Sequence, residues 1–228
     1  MTAAPLAGQV VLITGASGGL GGAMAQVCAR AGADVVASGR HLRRLEALYQ
    51  TVQQAGGAIQ LYPLDLEGAQ PGDLQQLVQS IVDEYGRLDL LIHCAADFAG
   101  LTPLAHADPA AVARALHVNL TARIWLTQAA LPALQAAGGG VVFAVDRPER
   151  GQQAYWGGYG LAQTAQHALI QMLGQELANT GVWVQRLAPS PMPTALRARA
   201  YGHEVEAISR PAEVAAWWLD DRYGVAEI

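Results

Sequence analysis

The sequence predicts an α/β fold, a doubly wound parallel sheet of six to seven strands with helices on both faces. Short β-branched or apolar runs alternate with longer helical patterns along the chain, as strands joined by crossover helices require. The first run, "QVVLITG" (9–15), is apolar enough to be buried on both faces. A glycine-rich turn follows it directly and opens the first helix.

That helix is "GGLGGAMAQVCARAG", closed by Gly32, and "DVVASGR" (34–40) is the second strand. The helical "HLRRLEALYQTVQQAG" leads to a third strand, "AIQLYPLDL" (58–66), and "PGDLQQLVQSIVDEYG" is the third helix. "LDLLIHCAA" (88–96) is a fourth strand, and the segment from Asp108 to Gly138 a long fourth helix. "GGVVFAVD" (139–146), a fifth helix containing Tyr159, and "GVWVQRLAP" (181–189) complete the alternation; "YGVAEI" offers at most a short last strand. With no repeat, low-complexity tract or long linker, residues 1–228 are expected to form one dinucleotide-binding domain.

Composition bounds the function. The chain has 228 residues, enough for one domain with a real core, and its 52% hydrophobic content is mainly Ala, Val and Leu. A net charge of −5 argues against a nucleic-acid partner and leaves no basic stripe for a membrane surface. No apolar run approaches the ~20 residues that span a bilayer. Cys28 and Cys94 lie far apart without metal-ligand spacing, which predicts reduced thiols, a soluble protein and a cytoplasmic location. All 14 basic residues are arginine; lysine is absent.

In "ITGASGGLGGAM", Gly15, Gly19 and Gly21 are spaced G-x-x-x-G-x-G. Glycines let the backbone approach a pyrophosphate, whose charge the amides of a helix N-terminus then meet. The plain alternative is a tight strand-to-helix turn without a ligand. Arg40 closes the second strand, where an acidic residue would bind the 2′-hydroxyl of NAD and an arginine suits a 2′-phosphate. NADP(H) is therefore expected over NAD(H), with Ser38 offering a hydroxyl. Asp65, after the third strand, either accepts from an adenine amino group or caps a turn.

"TGASGGLG" at 14–21, Asp65, Asn119, Tyr159 and "APSPMPT" after the sixth strand resemble the short-chain dehydrogenase/reductase family over almost the whole chain. Within it, "YWGGYG", "LTQAALPAL" and "PTALRARAY" are most similar to the YciK-like oxidoreductases. The resemblance implies a Rossmann fold, hydride exchange between a nicotinamide and a small carbonyl or alcohol, and a homodimer or homotetramer joined through the fourth and fifth helices. It implies coenzyme contacts from Thr14, Gly15, Ser17, Gly19, Leu20, Gly21, Ser38, Arg40, Asp65, Leu66, Ala95, Ala96, Pro189 and Thr194, with a substrate lid over about 190–210.

The family's catalytic set is Asn, Ser, Tyr and Lys. Asn119 matches the asparagine that holds a helix kink, and Tyr159 the acid/base. The serine position is Asp146 and the lysine position is Gln163. The family's Asn-Asn-Ala-Gly stands as His93 to Ala96, and its Pro-Gly as Pro189-Ser190. A tyrosine of pKa about 10 must exchange a proton near neutrality, and a neighbouring cation favours its phenolate. Gln163 is neutral. An ionised Asp146 accepts hydrogen bonds only, raises the phenol's pKa and opposes an oxyanion. The expectation is weak or atypical turnover, or a nucleotide-binding pseudoenzyme that acts as a redox sensor or a structural subunit. Turnover survives if Asp146 is held protonated or if Arg147 or Arg150 supplies the missing charge.

The histidines, at 41, 93, 106, 117, 167 and 203, form no metal spacing, so no metal is expected. "AAWWLDD" (215–221) reads as helix packing, with a subunit contact as the lesser alternative. Tyr155 and Trp156 either line a substrate mouth or close a loop. Arg197, Arg199 and Arg210 either attract an anionic substrate or are solvated.

Overall fold

The computed structural model describes residues 4–202 and 208–221. Six parallel strands form one sheet in the order β3-β2-β1-β4-β5-β6. They are β1 (Val10–Thr14), β2 (Asp34–Gly39), β3 (Ala58–Pro63), β4 (Leu90–His93), β5 (Gly140–Ala144) and β6 (Trp183–Leu187). The chain works outward from β1 to β3, then returns to place β4 on the other side of β1. That reversal opens a crevice at the carboxyl ends of β1 and β4, where ligands of open α/β sheets bind. The expected six strands are present; residues 223–228, expected to form a short last strand, and His203 lie outside the described residues.

Alternation along the strands builds two cores. Val11, Ile13, Val35 and Ala37 face one way, against α1 (Gly19–Arg30), α2 (Leu42–Gln54) and α9 (Pro211–Asp220). Val10, Leu12, Val36 and Leu91 face the other, against α3 (Pro71–Tyr85), α5 (Ala122–Ala137) and α7 (Gly157–Leu177). Trp218 of "AAWWLDD" is fully buried and donates from its indole to Gln185 at 3.1 Å, while Trp217 is exposed. That segment packs, as expected.

The strands stop earlier than the apolar runs do. β3 ends at Pro63 rather than residue 66; the Leu64 N–H makes a last bond to the Gly39 carbonyl at 3.1 Å, where β2 itself ends. β4 and β5 end at His93 and Ala144, which leaves residues 94–98 and 145–147 as loops over the crevice, the second leading into the single turn α6 (Pro148–Gly151).

The long fourth helix is interrupted. α4 (Pro109–Leu116) runs into a π-turn (His117–Thr121) before α5 begins. Asn119 is the cause. Its side-chain amide donates to the Ala115 carbonyl four residues back at 2.7 Å, where its own backbone N–H would otherwise bond. The ladder widens by one residue there. Among the described residues, no helix is long and apolar enough to cross a membrane.

Candidate active site

The glycine turn is held shut from two sides. Gly15 has φ +70°, and a Cβ there would stand 2.5 Å from the Ala95 Cα. A Cβ on Gly21 would stand 2.3 Å from the Gly15 carbonyl oxygen. These contacts press β1, α1 and the loop after β4 together, so the turn's amides line a cleft of about 440 Å3. α1 is preceded by Gly18 at its N-cap, has no side-chain cap and carries no acid in its first turn. Its N-terminal amides and partial positive charge therefore face the cleft without a competing carboxylate. This cradle fits a diphosphate.

Thr14, Gly15, Ser17, Gly19, Leu20, Gly21, Ser38, Arg40, Asp65, Leu66, Ala95, Ala96, Pro189 and Thr194 all line that one cleft. Arg40 is exposed at its rim, donating to the His41 ring at 3.4 Å, and Arg44 lines the same end. Asp65 accepts from the Glu67 N–H at 3.1 Å, so it closes a turn while its side chain stays at the cleft. Thr194 caps α8 (Ala195–Tyr201) by accepting from the Arg197 N–H at 3.2 Å, and lies over Gly19.

Tyr159, Asp146 and Gln163 meet at the other end of the same cleft. Tyr159 stands in the first turn of α7 and is 6% exposed, packed on Phe98 and Trp156. Its hydroxyl donates to Asp146 Oδ2 across a long 3.4 Å. Burial, then the charge of Asp146, push the phenol above its ordinary pKa of 10; the charges of Arg123 and Arg150 pull the other way and lose.

Gln163 is buried, and its side-chain carbonyl accepts the Asp146 N–H at 2.8 Å. It holds the loop rather than offering charge to the phenol. Asp146 is ion-paired with Arg150 at 3.5 Å and takes the Arg147 N–H at 3.1 Å, while its backbone carbonyl is met by the His167 ring at 2.9 Å. Of the two arginines expected near Asp146, Arg150 brings its side-chain charge and Arg147 its backbone. Asn119 is saturated: it bonds Ala115, donates to Asp97 O at 2.7 Å and accepts from Asp97 N at 3.0 Å. It pins the loop after β4 to the π-turn.

Trp156 lines the cleft; Tyr155 is exposed, has φ +77° and ties its carbonyl to Thr102. Arg197 stacks on Tyr201, Arg199 donates to Phe98 O, and Arg210 serves the start of α9 through Glu213. His93 is buried on Phe143 and pairs with Thr127, its pKa driven well below the ordinary value by burial and by Arg123. Among the described residues, no group of side chains has metal-site composition.

One residue that composition and motif do not single out lines the same cleft as Tyr159. Arg123, one turn after Asn119 at the head of α5, is 1% exposed and lines the cleft. It donates to Ala144 O at 3.0 Å, and also to Ala95 O and the Gln166 side-chain carbonyl. Burial draws its pKa down to about 10. A signal was present: an arginine four residues from Asn119 shares the buried face of that helix.

The short chain dehydrogenase family profile matches residues 9–204. The chain belongs to that family. It is 31% identical to the oxidoreductase YciK of Escherichia coli over 214 residues, covering 92% of this chain and 84% of that one. Its fold superposes on a short chain dehydrogenase of Shigella flexneri complexed with NADP (TM-score 0.87, 30% identity, 97% of this chain and 96% of that one). It also superposes on one of Escherichia coli CFT073 complexed with NADPH (TM-score 0.88, 31% identity, 97% and 95%).

Proposed function

We propose that this short-chain oxidoreductase binds NADP(H) and exchanges hydride between the nicotinamide and a small carbonyl or alcohol, with attenuated turnover. The observation that carries the reading is the convergence of the glycine cradle and the Tyr159 hydroxyl in one cleft, with Arg40 and Arg44 at the far rim. The two relatives bearing NADP and NADPH support the same coenzyme. The diphosphate would be held by the turn Gly15–Gly21 and the 2′-phosphate by Arg40, while the nicotinamide, which supplies the hydride when bound, would lie toward Thr194 and Tyr159.

Tyr159 is the acid/base in this reading, Asn119 the brace that fixes the neighbouring loop, and Asp146 and Gln163 the altered positions that slow the reaction. Cytoplasmic residence and assembly through α5 and α7 belong to the same proposal; α7 leaves Leu161 and Met172 exposed. A second reading, a nucleotide-binding protein without turnover, is favoured by the Tyr159–Asp146 contact, which holds the proton on the phenol.

Coenzyme binding and turnover separate the two. NADPH is expected to bind more tightly than NADH in a fluorescence titration, and Arg40→Ala to weaken NADPH about tenfold or more while leaving NADH within twofold. Equal affinities in the natural protein would sink the NADP(H) assignment. Turnover on a carbonyl panel that disappears in Tyr159→Phe supports the oxidoreductase; tight binding with no turnover supports the second reading.

A further inference from the structure

We infer that the carbonyl partner of this cleft is a flat, apolar ring compound, an aryl ketone or aldehyde, and that Trp156 is the residue that selects it. The inference rests on the hydride exchange proposed for the cleft and names its substrate class.

The Tyr159 hydroxyl marks where a carbonyl oxygen must arrive, and the surface around it is aromatic. Phe98 from the loop after β4, Trp156 at the N-cap of α7, and Tyr159 form an apolar cluster of their own, outside both cores that flank the sheet. The Phe98 and Trp156 rings stack with centroids 5.0 Å apart and planes 20° from parallel. Tyr159 tilts against Phe98 at 5.1 Å and against Trp156 at 5.8 Å. Tyr201, exposed at the end of α8, continues the series 6.2 Å from Trp156, and the Arg197 and Arg150 guanidiniums fix its ring from 4.2 and 5.6 Å. All four rings line the cleft.

Their cover is thin. α8 is seven residues long and lays Leu196 and Ala200 on the cluster. A substrate ring set against Trp156 would extend the stack at the spacing of about 4.5–7 Å that aromatic pairs prefer. The polar side chains beside this surface are engaged with one another. Asp146 takes Arg150 and the Tyr159 hydroxyl, the Gln163 carbonyl takes the Asp146 N–H, and Arg199 donates to the Phe98 carbonyl. A polyhydroxylated carbonyl compound would give up its hydrogen bonds to water in order to lie against ring faces. An aryl group gives up none and needs only its carbonyl oxygen to meet the Tyr159 hydroxyl. A saturated ring of the same size buries similar area but cannot stack.

Ligand-detected NMR on the protein loaded with NADP+, which has no hydride to give, measures ketone binding without turnover. Acetophenone is expected to bind about tenfold more tightly than dihydroxyacetone and about threefold more tightly than cyclohexyl methyl ketone. Trp156→Ala should weaken acetophenone about tenfold and leave dihydroxyacetone within twofold, while Trp156→Phe, which keeps a ring, should recover most of the loss. Trp156→Leu keeps apolar volume without a stacking face, so it reports if the melting curve shows that the Ala variant does not fold. Dihydroxyacetone or cyclohexyl methyl ketone binding as tightly as acetophenone overturns the inference. So does a folded Ala or Leu variant that keeps acetophenone within twofold. Acetophenone that binds selectively but is not reduced with NADPH supports the ring site and overturns the turnover; failure to bind NADP+ overturns the proposed function itself.

Discussion

Asp146→Ser and Gln163→Lys, made together, are expected to raise carbonyl reduction by about 10²–10⁴-fold over the natural protein. Two causes hold the phenol's pKa up besides burial: the Asp146 charge and the hydrogen bond to it. Serine removes both and restores a hydroxyl able to donate to a substrate oxygen. Lysine at 163, one helical turn from Tyr159, adds a cation on the same face. With the phenol's pKa lowered, the alcohol-oxidation rate, which needs phenolate, should begin its rise at lower pH; the carbonyl-reduction rate, which needs phenol and is lost as pH rises, should begin that loss at lower pH too.

The single variants should gain far less. Gln163→Lys alone takes the acceptor from the Asp146 N–H, at a cost of about 1–3 kcal/mol for an unsatisfied buried donor, and leaves the carboxylate in place. Asp146→Ser alone strips Arg150 of its partner and adds no cation at 163. Stopped-flow or steady-state rates on one ketone, for the natural protein and the three variants, decide it. Equal rates for the natural protein and the double variant would mean that these two positions do not limit the chemistry.

The sheet was legible because its strands are buried on both faces and separated by helical patterns of crossover length. The glycine spacing located the cleft because the backbone there approaches Ala95 and Gly15 too closely for any side chain. The helix interruption was legible only through Asn119, since the residues around it are good helix formers. Strand ends were overrun where apolar residues continue past the ladder, as at Pro63, Val145 and residues 94–96.

What sequence spacing could not supply was the pairing of charges across segments. Arg150 is four residues from Asp146, close enough to suspect. Arg123 bonds to residues 28, 21 and 43 positions away, and only the fold brings those carbonyls to one guanidinium. In a linear reading an arginine on a helix is a solvated charge. Burial reverses that reading: the Arg123 guanidinium enters the cleft from α5 and is held there by main-chain carbonyls and Gln166.

Gly21→Ala is expected to weaken NADPH binding by about a hundredfold or more. The new methyl would meet the Gly15 carbonyl at 2.3 Å, its carbon at 2.7 Å and the Ala16 nitrogen at 3.0 Å, all backbone atoms without a rotamer to escape into. Relief requires the turn to move off α1. Gly15 cannot follow freely, because it is itself packed on Ala95 and held at φ +70°. The amides that would face the diphosphate are thus displaced by the substitution least able to change chemistry. Overpacking of this kind costs about 1–3 kcal/mol of stability, so a modest fall in Tm should accompany the loss. Gly174→Ala is the matched control: its methyl meets nothing within 4 Å, it lies inside α7, and alanine there should hold binding constant and stabilise the helix by about 0.5–1 kcal/mol. Titration of both variants with NADPH, beside their melting curves, separates a displaced cradle from general damage. A Gly21→Ala protein that binds within threefold of the natural one would show that the coenzyme does not sit on this turn.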